Sequence, residues 1–128
     1  MTTLTEDQTQ LVREYTTMLV NVDEAFEYVV ASFSDSSKTE GDLVLSDILS
    51  SFVQLIQVNE DLTTIFHDNS EVKNSIIDFK KVISEAEKLD GIFEKSQEKQ
   101  EVVQKSLYPA YKNWYETIHP QLVVYTQV

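Results

Sequence analysis

The chain has 128 residues, with 10 Lys and Arg against 22 Asp and Glu for a formal net charge of -12, two Gly, two Pro and no Cys. At that length a single domain over residues 1–128 is expected, large enough to remove about two thirds of its unfolded surface from water without a disulfide or cofactor. The missing Cys excludes thiolate zinc sites, iron–sulfur centres and cysteine nucleophiles, and the acidic balance argues against nucleic acid and anionic membranes, which need clustered Lys and Arg.

The N-terminal stretch places Glu6 and Asp7 where a secretory leader carries basic residues. No segment approaches about 20 uninterrupted apolar residues. A cytoplasmic protein with no membrane insertion is therefore expected.

Apolar residues then recur at helical spacing in four successive segments. In the first, Leu11, Tyr15, Met18, Val22, Ala25 and Val29 alternate spacings of four and three, with Leu19, Phe26 and Phe33 beside them, which predicts a helix over about 5–33. The run from Ser34 to Asp42 holds small polar residues and Gly41, and predicts a loop in which Ser37 or Thr39 caps the next helix. That second helix, over about 42–67, aligns Leu45, Ile48, Phe52, Leu55, Leu62 and Phe66, with Asn59 the one polar residue in the series. A polar residue there either fixes register or oligomeric state, or sits partly exposed.

His67 to Ser70 predicts a tight turn with Ser70 as cap and Glu71 in the first turn, where the helix dipole favours an acid. Val72, Ile76, Phe79, Ile83 and Ala86 mark the third helix, over about 70–95. Its end is signalled either by Gly91 or by the polar run Glu94 to Glu101, and is placed near Lys95 to Glu98. An alternative extends it to Leu107 and starts a shorter last helix at Pro109, a residue suited to the first helical turn. The fourth helix, over about 98–126, aligns Val103, Leu107, Tyr111, Trp114, Ile118, Leu122 and Tyr125.

Four helices of this length with short connections predict an all-α, antiparallel up-down-up-down four-helix bundle. Pro109 and Pro120 both fall in the fourth helix, eleven residues apart, so that helix is expected to kink at one or both, or else to terminate near Ile118.

Catalytic chemistry finds little footing. Glu116 and His119 have the Glu-x-x-His spacing of a carboxylate-bridged di-metal site, but such a site needs the pair twice, and His119 precedes Pro120, which disfavours helical geometry there. Two glycines fifty residues apart cannot build a phosphate cradle or a nucleophile elbow. His67, amid Asp68 and Asn69 at a helix end, lacks the setting of a phosphorelay histidine. No enzyme activity, cofactor or metal is expected.

What remains is surface. Residues 41–69 carry five acids and no Lys or Arg, and the first 40 carry eight acids against Arg13 and Lys38. Such faces steer a basic protein partner, and Asp23, Glu24, Glu27, Asp42, Asp47, Glu60 and Asp61 are the residues expected to do so. Among the C-terminal aromatics, Tyr111, Trp114 and Tyr125 lie on the inward stripe, whereas Tyr108 and Tyr115 lie on its edge and are expected to reach the partner. The expected function is a non-enzymatic acidic helical interaction module: an adaptor, a complex subunit, or an inhibitor or immunity-type protein, monomeric or homodimeric. The alternatives are a self-associating coiled-coil structural subunit and, third, a carboxylate-bridged metal enzyme. The terminal Thr126-Gln127-Val128 also fits the loose pattern read by carboxylate-capturing PDZ domains.

Overall fold

The structure, a computed structural model, describes residues 2–127, and every regular element among them is helical. The chain forms a four-helix bundle in which two of the four rods are subdivided. Rod one is α1 (Glu6–Ser32) and rod two is α2 (Gly41–Ile65). Rod three consists of α3 (Ser70–Ile77) and α4 (Phe79–Ala86), prolonged by a 3₁₀ turn, Glu87–Leu89. Rod four consists of α5 (Ser96–Val102), a π-helical turn (Val103–Leu107) and α6 (Tyr108–Val123), which follow one another without a break.

Local chemistry sets the ends. Thr5 opens α1 with a capping box: its hydroxyl accepts from the Gln8 N–H at 3.1 Å while the Gln8 side chain accepts from the Thr5 N–H at 3.0 Å. Neither Ser37 nor Thr39 caps α2. Glu40 occupies the cap position without a side-chain bond, and Asp35 takes up the Ser37 N–H and hydroxyl instead. Before α3 the cap is Asn69, whose Oδ1 accepts from the Val72 N–H at 3.1 Å, and Ser70 is the first helical residue. The third rod ends well short of residue 95, because Gly91 adopts a φ of 78° that side-chain-bearing residues rarely adopt. The polar run that follows starts the fourth rod, so the third helix does not continue to Leu107.

The fourth rod runs past Ile118 through Pro120 to Val123. Pro109 has no N–H to offer the Lys105 carbonyl four residues back, and the π-helical turn lies over that stretch.

Aromatic rings from all four rods meet in the core. Phe26 of α1 lies 6.2 Å from Phe52 of α2 and 5.3 Å from Tyr111 of α6; Phe79 of α4 packs edge-on against Phe52 at 5.4 Å and lies tilted against Trp114 at 4.6 Å. The polar tips of three buried aromatic residues each have a partner. The Tyr111 hydroxyl donates to the Leu19 carbonyl at 2.6 Å, the Trp114 indole to the Ser75 carbonyl at 2.8 Å, and the Tyr15 hydroxyl to Asn59 Oδ1. Asn59 thus ties α2 to α1.

The inward line of α1 is rotated from the expected one. Val12, Tyr15, Leu19, Val22, Phe26 and Val29 are buried, whereas Leu11, Met18 and Ala25 are half-buried at its edge. α1 packs against both α2 and α6, and the residues pointing between those two neighbours become the core.

Candidate interaction surface

The residues expected to meet a partner fall into two groups. On the α1–α6 face, Asp23, Glu24 and Glu27 come together with Tyr108 and Tyr115. The Tyr108 ring stacks on Phe26 at 5.0 Å with an interplanar angle of 17°, and its hydroxyl donates to Asp23 Oδ1 at 3.0 Å. Tyr115 stacks on Tyr111 at 5.9 Å, nearly parallel at 8°. Each tyrosine is therefore held from behind by a core ring and left half-exposed.

Glu24 and Glu27 are exposed on α1, whereas the Asp23 side chain is only 14% exposed and serves as an acceptor within the fold. Two α6 residues join this face that spacing along the chain did not single out. Lys112 sets its Nζ 3.7 Å from Asp23 Oδ1 and 5.6 Å from the Tyr108 ring centre, and Glu116 is exposed beside Tyr115. The signal was available: Tyr108, Lys112 and Glu116 recur every four residues, one strip of a helix surface. Glu116 drew attention only for its spacing to His119.

Electrostatics agree with this grouping. Burial first, then the hydrogen bond to Asp23 and the charges of Asp23, Glu27 and Glu116, push the Tyr108 hydroxyl above its ordinary pKa. For Tyr115 burial again leads, followed by Asp23, Glu24 and Glu116. Both hydroxyls stay neutral donors at physiological pH, ringed by carboxylates. Such a face can take a cation on aromatic rings and on carboxylates together, as Lys112 already does from within.

The second group is strung along α2. Asp42 pairs with Lys99 Nζ at 2.7 Å, and that lysine side chain is only 7% exposed, so Asp42 joins α2 to α5. Asp47, Glu60 and Asp61 are exposed, and Glu60 lines a groove whose other wall carries Lys80. α2 is also more apolar than expected: its 25 residues include an 18-residue window of mean hydropathy 1.3, long and apolar enough by those measures to cross a bilayer. The cause is the uncharged run between Asp47 and Glu60.

Elsewhere, the His119 ring packs at 5.2 Å on Tyr115, and His67 Nδ1 lies 3.1 Å from the Thr64 carbonyl. Among the described residues no three His, Asp or Glu side chains are placed to hold a metal ion. Of the C-terminal tripeptide, Val128 lies outside the described residues; the Thr126 hydroxyl donates to the Val123 carbonyl and its own carbonyl accepts from Arg13.

No curated protein and no solved structure matches the chain. A family model described as Domain of unknown function (DUF8042) matches residues 10–117.

Proposed function

The chain belongs to the DUF8042 family, and from that premise, which brings no activity with it, we propose that it is a non-enzymatic helical module that binds a basic protein surface through its α1–α6 face. One observation carries the reading: two half-exposed tyrosines, each braced by a core ring, stand among Asp23, Glu24, Glu27 and Glu116. The carboxylates set encounter rate and choice of partner, while the ring area and its desolvation set affinity. Adaptor, complex subunit and inhibitor are all uses of such a face.

The proposal includes an antiparallel up-down-up-down arrangement within one domain. Cross-rod contacts support it: Tyr15 meets Asn59 while Phe26 meets Phe52, and Leu19 meets Tyr111 while Asp23 meets Tyr108, so numbering falls on one rod as it rises on the other. It also includes a bend in the fourth rod, supported by the π-helical turn before Pro109 and by Pro120 inside α6. A cytoplasmic location without membrane insertion belongs to the same reading. Its support is that α2 gives Leu45, Ile48, Phe52, Leu55 and Leu62 to the bundle core, which a bilayer-spanning α2 would withdraw.

The test is affinity capture from a lysate of the source organism with three baits of matched circular dichroism: wild type, Glu24→Lys/Glu27→Lys/Glu116→Lys, and Asp47→Lys/Asp61→Lys. A basic protein held by the first and third baits and lost by the second is the expected result. Equal capture by all three, or capture lost only with the α2 variant, removes the α1–α6 face from consideration.

A further inference from the structure

α2 is more apolar than its place in the bundle uses. Only 22% of its 18-residue apolar window is buried, and on its outer flank Val53 and Ile56 are 56% and 43% exposed. Ile56 shares a groove of about 220 Å³ with Ile77 of α3, itself 45% exposed, and with the buried Ile76 and Phe79.

Charge on the two walls is sorted by sign. Glu60 stands on the α2 wall, and α2 contributes Asp47 and Asp61 but no cation. Lys80 stands on the opposite wall, and Lys73 and Lys80 bracket Ile77 at spacings of four and three. None of these five side chains is in an ion pair among the described residues. A uniformly basic partner would be repelled by the lysine wall, and a uniformly acidic one by the α2 wall. An apolar strip with an acidic rim on one side and a basic rim on the other is complementary to itself, because a two-fold rotation carries each wall onto the opposite wall of the second copy.

We infer that this groove is the interface of a homodimer, in which Val53, Ile56 and Ile77 of both copies pack together and Glu60 of each copy faces Lys80 of the other. The surface is distinct from the α1–α6 face, and the dimer leaves that face open on each copy.

Sedimentation equilibrium of the full chain, up to about 1 mM protein so that even a millimolar Kd shows as half dimer, is the test. The expected mass rises from 14.7 kDa toward twice that value. Ile56→Glu weakens the dimer about tenfold or more, by placing a charge in the apolar strip. Glu60→Lys and Lys80→Glu, each creating two like-charge contacts across the two-fold, weaken it about tenfold, and the double variant restores the wild-type Kd. Circular dichroism and a thermal melt establish that each variant is folded; Val53→Glu replaces any that is not. A mass that stays monomeric throughout, assembly beyond the dimer, or a dimer indifferent to these substitutions or not rescued by the charge swap overturns the inference.

Discussion

Tyr15 is 2% exposed and its hydroxyl has one partner, Asn59 Oδ1. Leaving that donor unpaired in the interior costs about 1–3 kcal/mol, so Asn59→Leu is predicted to lower stability by that amount in urea unfolding, despite adding apolar area. Tyr15→Phe combined with Asn59→Leu should cost less than the two singles together, because Tyr15→Phe removes the donor that Asn59→Leu orphans. Sequence alone showed Asn59 as the polar break in an apolar line and left its use open, since its partner lies 44 positions away. Lys112 carries a prediction of the opposite sign. It is an internal cation on the face proposed to accept an external one, so Lys112→Ala should tighten binding of a basic partner a few-fold, read by calorimetry. Weaker binding would mean that Lys112 itself touches the partner.

Elements were legible where breaker chemistry and periodicity agree. The buried line of α2 is the one its spacing predicts, from Leu45 to Phe66, and that of the fourth rod holds from Val103 to Leu122, whereas Tyr125, expected on the same line, is half-buried. Other features were not legible, among them the cap of α2 and the later inward line of the third rod, where Val82 and Leu89 are buried and the expected Ile83 and Ala86 are half-buried. The α1 line depends on which two neighbours the helix lies between, and this rotation promotes Leu19 and Phe26 over Met18 and Ala25. The division between α3 and α4 at Asp78 comes with no Gly or Pro. Asn69 rather than Ser70 caps α3, because its side-chain Oδ1 accepts from the Val72 N–H and Asn suits the position as well as Ser does. At the end of the third rod the decisive residue is Gly91. A methyl group added there meets nothing within 4 Å, so Gly91→Ala isolates the backbone strain of a positive φ. It should cost about 1 kcal/mol, a fall of roughly 4 °C in Tm for a chain of this length. An unchanged melting curve would show that the rod ends for another reason.

Across the whole molecule, most of the net negative charge lies in the first half of the chain, while the hydroxyls that burial raises furthest belong to tyrosines of the core. Burial pushes the Tyr15 and Tyr111 hydroxyls above their ordinary value. Their neutral form is therefore favoured by folding; the contribution is fully present below the unfolded pKa of about 10 and is lost as pH rises above it, because the unfolded chain then releases protons that the folded chain retains. Tyr108 and Tyr115 are raised in the same direction, so the slope above pH 10 approaches about 1.4 kcal/mol per pH unit for each tyrosine that stays protonated in the folded chain, measurable as a falling urea midpoint between about pH 10 and 11.5. Tyr15→Phe should flatten it. At neutral pH the α1–α6 face is the proposed recognition surface, and carbodiimide labelling of exposed carboxylates, with and without the captured basic partner, tests that proposal most directly. Glu24, Glu27 and Glu116 are predicted to lose reactivity in the complex while Asp47 and Asp61 keep theirs; protection of Asp47 and Asp61 with Glu24, Glu27 and Glu116 still reactive would contradict it.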